Sequence, residues 1–434
     1  MAGSTNKKIR VLVRSLGCRV NLADAADALD RLSSERYRPA EDLAGADVAL
    51  LNTCTVTHKA DRDVRKILGA WMRDRPDLPV VVAGCAVITM GETLRDYRNV
   101  SRLVPPGDPQ SVADALAELG GPAPPSGGQA SPFRRLKRRR AIVKVQDGCN
   151  ARCAYCVIPI VRGPERSWPV EEVVAKVDRL LRLGHREVVL SGIHLGRYRT
   201  ENGTDLAGLL NTLSPVFERR GPACRLRLSS IEPMEFSEEL LEAISAARFV
   251  CRHFHVPLQS GDDEVLKRMG RPYRADQYAE VVHSLRKRFE DAALGTDVLV
   301  GFPGESETAA GNTLRLIDSL PLSYLHVFTF SARPGTRAAG MQAQVAHEIM
   351  RRRSAALRDV GRRHWHDFTQ RGLGRPHQVL AEKKEPNSWL GRTREYRRFR
   401  FEYQGDMCEE LVEARAEYLD GDTLVGVVSS QVKP

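Results

Sequence analysis

The chain has 434 residues, 42% of them hydrophobic, with 66 Lys and Arg against 55 Asp and Glu, a net charge of +11. That length buries a large core without disulfide staples, and no run approaches the roughly 18 apolar residues of a membrane span. "MAGSTNKKIR" lacks the apolar stretch of a secretory signal, so the expected location is the cytoplasm. There, nine cysteines suit metal binding or catalysis better than disulfides, and the positive charge suits a polyanionic partner.

In the first third, "KIRVLVRSL", "ADVALLNT" and "LPVVVAG" read as short buried strands. "VNLADAADALDRLSSE", "DRDVRKILGAWMRD" and "GDPQSVADALAEL" read as helices. Alternation of this kind predicts a parallel α/β domain over 1–119. "GGPAPPSGGQASP" then reads as a linker within 120–140, which also carries the basic run "RRLKRRR". Over 141–367 six strand-like segments follow: "AIVKVQDG", "EVVLSG", "CRLRLSS", "HFHVPLQ", "GTDVLVGF" and "YLHVFTFS". Helical stretches such as "VEEVVAKVDRLLRL" separate them. Six units are too few for an eight-stranded barrel and predict an open (β/α)6 relative, with its site at the C-terminal strand ends. A basic helix over about 346–370 leads to "HQVLAEKK", "TREYRRFRFEYQG", "EELVEARAEYL" and "TLVGVVSSQV". These predict a small all-β barrel or sandwich over 368–434.

"GCNARCAYCVIP" places Cys149, Cys153 and Cys156 directly after the first strand of the six-unit region. Structural zinc needs four ligands and no matching second pair is present. Three thiolates on a four-iron cluster leave one iron open to an exogenous chelator. The Cys-x3-Cys-x2-Cys spacing resembles the signature of radical S-adenosylmethionine enzymes, whose open iron takes the amine and carboxylate of that cofactor. The resemblance implies further contacts to S-adenosylmethionine from Tyr155, from Ser191 and Gly192 after the second strand, and from Ser230 and Glu232 after the third. Gln259 after the fourth strand and Val300 at the end of the fifth complete that set.

Cys18, Cys54 and Cys85 each stand at the C-terminal end of a predicted parallel strand, in "RSLGC", "LLNTC" and "VVAGC". Ligands bind in the crevice outside such ends, so the three loops can converge on a second cluster. Burial as small apolar side chains is the simpler alternative.

The ordered motifs "LGCRVN", "NTCTVTHKADRDVRK", "GCNARCAYCVIPIVRG", "HVPLQSGDDEVLKRMGR", "GFPGESE" and "FSARPGT" resemble the radical S-adenosylmethionine methylthiotransferases. The C-terminal segment resembles their RNA-binding TRAM domain. "NTCTVTHKADR" and "RLSSIEP" most resemble the branch acting on N6-threonylcarbamoyladenosine beside the tRNA anticodon. The resemblance implies two 4Fe-4S clusters, one cleaving S-adenosylmethionine for hydrogen abstraction at carbon 2 of the adenine and one carrying the methylated sulfur. It also implies a flavodoxin- or ferredoxin-like electron donor. "GCAVI" and "FTF" depart from the family's usual Ala-Gln and Pro-Tyr at those places.

Nine Lys and Arg against three acids over 371–400 mark a candidate RNA face, with Arg392, Arg394, Arg397, Arg398 and Arg400 around Tyr396. Methylthiolation of isopentenyladenosine in tRNA or of a ribosomal protein aspartate, and a non-catalytic zinc-containing RNA-binding protein, are the competing readings. No membrane association and a monomer are expected.

Overall fold

A computed structural model describes residues 8–120 and 140–432. The predicted linker and the "RRLKRRR" run therefore lie outside the described residues, apart from Gly120 and Arg140.

The first region contains β1 (Ile9–Ser15), α1 (Arg19–Leu29), β2 (Tyr37–Pro39), β3 (Val48–Thr53), α2 (His58–Asp74), β4 (Val80–Gly84), α3 (Ala86–Arg95), β5 (Val100–Val104) and α4 (Pro109–Gly120). Its sheet has the order β2-β1-β3-β4-β5, and every pair is parallel. β3 is buried along its whole length because helices cover both faces. Leu50 and Val81 join α1 and α4 in one apolar layer, while Leu51, Val80 and Val82 join α2 and α3 in the other. In α2 the Thr57 side chain caps the first turn and Asp61, Val64 and Leu68 form the buried stripe. β2, β5 and α3 are elements that the sequence pattern did not separate from their surroundings.

The second region contains β6 (Ala141–Lys144), β7 (Gln146–Asp147), α5 (Ile158–Arg162), β8 (Arg166–Ser167), α6 (Val170–Arg182), β9 (Glu187–Ser191), α7 (Leu206–Glu218) and β10 (Arg225–Leu228). It continues through α8 (Glu238–Ala246), β11 (His253–His255), α9 (Asp263–Met269), α10 (Ala275–Arg288), β12 (Ala293–Val300), α11 (Glu307–Ser319) and β13 (Tyr324–Thr329). The six principal strands form two parallel three-stranded sheets, β10-β9-β6 and β11-β12-β13. A Leu226–Val250 bridge and the Ile231 N–H to His255 carbonyl bond join them. β6 and β13 stand at the two ends of this order and do not pair, so the barrel is open between them.

Helix α12 (His347–Gln370) packs along β13, with Gly361 so close to Leu325 that an added Cβ would lie 3.2 Å from its Cγ. The last region is a closed barrel of β14 (Pro376–Lys384), β15 (Ser388–Thr393), β16 (Arg398–Glu402), β17 (Leu411–Asp420) and β18 (Thr423–Gln431), in the order β14-β15-β16-β18-β17. Trp389, Phe399, Phe401 and Leu424 fill it. "TREYRRFRFEYQG" is not one strand. It spans the end of β15, a turn in which Tyr396 has φ +74°, and β16.

Candidate active site

β1, β3 and β4 are neighbours, with Ser15 opposite Asn52 and Thr53 opposite Gly84. Cys54 and Cys85 directly follow β3 and β4, and Cys18 begins α1 just beyond β1. Gly17 makes that approach feasible, because its φ is +94° and an added Cβ would fall 2.5 Å from the Cys54 Cβ. Cys54 and Cys85 are buried and Cys18 is exposed. Burial pushes the Cys85 thiol up to about 12, and the Cys54 and Cys18 sulfurs act on it too, so the three thiols lie near one another at one edge of the sheet.

The second trio sits at the mouth of the open barrel. Gly148, at φ +70°, turns the chain tightly against Pro164, and the Cys149 N–H donates to the Gly163 carbonyl at 3.1 Å. His194 Nδ1 lies 3.5 Å from Cys149 Sγ, and His194 Nε2 lies 2.6 Å from Glu235 Oε1. Arg271 donates to Cys153 Sγ at 3.4 Å and pairs with Glu232. Burial pushes the Cys156 thiol up to about 12, with the Cys153 and Cys149 sulfurs adding to the rise. The donor set fits an iron–sulfur cluster: three clustered thiols, a cation beside one and an imidazole beside another.

The two trios meet across α5. That helix starts just after Cys156, and its Val157 and Val161 pack on Cys85. Arg162 at its end donates to Asp147 at 2.8 Å, to Asp24 at 3.1 Å and to Asn21. Lys144 completes the network between Asp24 and Asp147. Burial alone would raise the Asp147 carboxyl, but Arg162 and Lys144 hold it below the usual carboxylate range. Two cations thus balance two carboxylates in a buried seam between the regions.

The residues predicted around the second trio fall into three groups. Tyr155 and Glu232 meet at Arg271, which also lies over the Tyr273 ring at 4.9 Å. Burial pushes the Tyr155 phenol well up. Ser191 is buried, and Gly192 lies against Gln146, where an added Cβ would be 3.0 Å away. Gln146 in turn accepts from the His194 N–H at 2.8 Å and donates to the Gly148 carbonyl at 3.0 Å. Gln259 and Val300 stand on the β12 rim: the Gln259 N–H donates to the Asp297 carbonyl at 2.8 Å, and the Val300 carbonyl accepts from Phe330. Gln259 holds φ +70°, an uncommon value for a residue with a side chain. Ser230 is exposed.

Arg271, His194, Glu235, Gln146 and Arg162 went unread in the sequence. Arg271 stood inside a quoted motif, "HVPLQSGDDEVLKRMGR", and His194 two residues beyond "EVVLSG", so a charged or imidazole side chain in a loop was the available signal.

Most side chains of the predicted RNA face also take partners within the protein. Arg392 donates to the Tyr396 carbonyl, Arg394 to the carbonyls of Arg248 and Val250, and Arg397 to the Phe368 carbonyl. Tyr396 turns inward beneath the Arg140, Arg227 and Arg392 guanidiniums, 4.6–5.2 Å from its ring centre. Arg394, Arg397 and Tyr396 thus tie the small barrel to the rest of the protein, while Arg392, Arg394 and Tyr396 remain partly exposed. Arg400 pairs with Glu385 and Asp420, and Arg398 is exposed.

Residues 143–317 match the Radical SAM superfamily, and residues 10–104 match a family described as Uncharacterized protein family UPF0004. A tRNA-2-methylthio-N(6)-dimethylallyladenosine synthase from Syntrophobacter fumaroxidans is 35% identical over 96% of this chain and 95% of its own. The chain belongs to the radical S-adenosylmethionine methylthiotransferase family. The threonylcarbamoyladenosine tRNA methylthiotransferase MtaB of Chlamydia pneumoniae is 31% identical over 95% of this chain and 96% of its own. Among solved structures, the radical S-adenosylmethionine methyltransferase TsrM from Kitasatospora setae shares the fold, with TM-score 0.56 and 18% identity over 76% of this chain and 77% of that one. As a methylthiotransferase of this family, the protein is an enzyme that uses an iron–sulfur cluster and S-adenosylmethionine. No helix among the described residues is long and apolar enough to cross a membrane.

Proposed function

We propose that the protein adds a methylthio group to carbon 2 of N6-threonylcarbamoyladenosine beside the anticodon of tRNA. The observation that carries the sulfur-inserting part is the packing of Cys85, from the first trio, on Val157 and Val161 of the segment that directly follows Cys156 of the second. Cys149, Cys153 and Cys156 hold one 4Fe-4S cluster, and Cys18, Cys54 and Cys85 hold a second. When bound, these clusters and S-adenosylmethionine supply hydrogen abstraction at carbon 2 and the methylated sulfur that takes its place.

The protein's own part is position and charge. Arg271 stabilises the Cys153 thiolate and fixes Glu232, while Glu235 and Gln146 orient His194 against Cys149. Tyr155, Ser191, Gly192, Ser230, Glu232, Gln259 and Val300 contact S-adenosylmethionine along the same rim. The C-terminal barrel serves as the TRAM domain, the net charge of +11 favours tRNA over a protein substrate, and a flavodoxin- or ferredoxin-like protein supplies electrons from the cytoplasm.

The two curated relatives act, by name, on different N6 substituents. The barrel lumen favours the polar one. His255, Asp297 and His326 line it, and an apolar dimethylallyl group would desolvate them without offering hydrogen bonds.

Iron and sulfide content after anaerobic reconstitution tests the cluster assignment. About eight irons in the wild type should fall to about four in a Cys18/Cys54/Cys85→Ala triple variant. Four in both would remove the basis for sulfur insertion. Nucleoside analysis of tRNA from cells with and without the protein decides the substituent: loss of the methylthiolated dimethylallyl nucleoside instead would overturn the threonylcarbamoyl reading.

A further inference from the structure

β13 is an end strand of the open barrel, and its side chains divide cleanly. Leu325 and Val327 pack against the core, with Leu325 under α12. Tyr324, His326 and Phe328 alternate with them and face the lumen. The His326 side chain is 55% exposed and Phe328 is 46% exposed.

His326 stands opposite Asp297 in the β12–β13 register, and its Nδ1 lies 3.2 Å from Asp297 Oδ1. His255 Nε2 approaches the same oxygen at 2.9 Å, and His255 Nδ1 lies 3.1 Å from the Tyr324 hydroxyl. One carboxylate therefore fixes two imidazoles and leaves the Nε2 edge of His326 toward the lumen. The rings continue as a ladder. Phe328 meets His326 edge-on at 6.4 Å, His326 stacks on His255 at 5.1 Å, and His253 links Tyr324 to Tyr396.

Among the described residues, no hydrogen bond, ion pair or ring contact joins these side chains to either cysteine trio. Exposed rings in an enzyme cavity otherwise suit one ligand class well, a base taken out of its stack.

We propose that the lumen face of β13 seats the target nucleotide, with Phe328 stacking on the flipped adenine and His326, oriented by Asp297, binding the carboxylate of its N6 substituent. This rests on the threonylcarbamoyl reading above. To bind that carboxylate, His326 donates Nε2–H to it while Nδ1–H is donated to Asp297. Asp297 stays ionised: burial would raise its carboxyl, but the two imidazoles more than offset that. A second cation is close. Arg19, next to Cys18, is half-buried, forms no ion pair among the described residues, and its charge reaches the Tyr324 and Tyr396 hydroxyls. A carboxylate entering here meets positive charge from two regions of the chain.

The test compares two anticodon stem-loops, one carrying N6-threonylcarbamoyladenosine and one carrying the same group without its carboxylate. Reconstituted wild type should prefer the first by roughly 10- to 100-fold in kcat/KM, the range of one hydrogen bond to a charged group. His326→Leu should lose most of that preference while keeping the wild-type iron content, and Phe328→Ala should raise KM on both RNAs alike. Asp297→Asn should weaken the preference without removing the imidazole. A His326→Leu variant with the wild-type preference would overturn the assignment while leaving the functional reading intact. Wild type inactive on the first RNA but active on a dimethylallyl stem-loop would overturn that reading itself. A divalent metal beyond the cluster iron, lost in Asp297→Asn, would make the three residues a metal centre and also overturn the proposal.

Discussion

Arg333, in the loop after β13, pairs with Asp61 of α2 at 2.7 Å, so the last barrel strand is tied to the amino-terminal sheet. The same guanidinium donates to Thr55 Oγ1 at 2.8 Å, one residue from Cys54. Five residues on, the Ala338 N–H donates to the carbonyl of Ala154, one residue from Cys153. Residues 333–338 are thus a strap between the two cysteine loops. Arg333→Ala leaves Asp61 buried without its cation, which costs about 3–5 kcal/mol locally. The expected result is that formation of 5′-deoxyadenosine persists while methylthiolation falls steeply. Equal loss of both would show that the strap serves only the fold.

A second buried charge group docks the small barrel. Glu187, fully buried on β9, receives Arg225 Nε at 2.6 Å and Arg227 Nε at 2.7 Å. The far ends of these arginines donate to the carbonyls of Gln378, Arg392 and Arg394. Burial would raise the Glu187 carboxyl, but Arg227 and Arg225 hold it well below the usual range. Its stabilising contribution is therefore present above the unfolded value of about 4.3 and is lost as pH falls through the lower folded value. Glu187→Gln leaves two buried guanidiniums without their anion and should cost about 3–5 kcal/mol. Denaturant titration reads the loss, and limited proteolysis near 371–376 should quicken as the barrel undocks. Unchanged proteolysis would mean that the backbone carbonyls alone hold the interface.

How much of this the sequence carried depends on range. Cys149, Cys153 and Cys156 were legible because their spacing is local, and Cys18, Cys54 and Cys85 because each follows a strand in a sheet whose parallel order brings those ends together. β2 and β5 were not, since three to five residues at a sheet edge leave too little periodicity to separate them from loops. His194, in the loop after β9, and Arg271, in the loop after α9, reach cysteines more than 40 residues away, and nothing local marks such a contact. The stretch Arg392–Arg400 reads two ways. Arginines interleaved with aromatics have the same pattern whether they face RNA or stack on a neighbouring region, and only the turn at Tyr396 decides between these.

That turn has its own titration. Burial would raise the Tyr396 phenol, but Arg140, Arg392 and Arg19 bring it down to about 8, against about 10 for an exposed tyrosine. The folded protein then holds a phenolate at a pH where the unfolded chain does not. Stability from this group grows as pH rises from about 8 to 10 and is lost as pH falls through about 8, so none is present at pH 7. An ultraviolet difference titration of wild type against Tyr396→Phe should show one phenol ionising near pH 8. If that step appeared only near 10, the three guanidiniums would not govern the ring.

The inward turn leaves Arg398 of the predicted RNA face to solvent, and α12 adds a second cation that is free among the described residues. Arg398 on β16 is exposed, and so is Arg358 on α12, for which no ion pair forms among the described residues. The other exposed arginines of that helix face carboxylates: Arg351 lies 3.7 Å from Glu348, while Arg352 pairs with Glu307, Arg362 with Asp359 and Arg363 with Asp318. An arginine already neutralised releases fewer counterions when it meets a phosphate, so Arg358 and Arg398 should dominate the electrostatic part of binding. Each alanine substitution should weaken tRNA binding and reduce the slope of log affinity against log salt by about 0.7–0.9. Arg362→Ala, made alongside, should change that slope less. If all three variants kept the wild-type slope, the RNA would approach by a face that includes neither β16 nor α12.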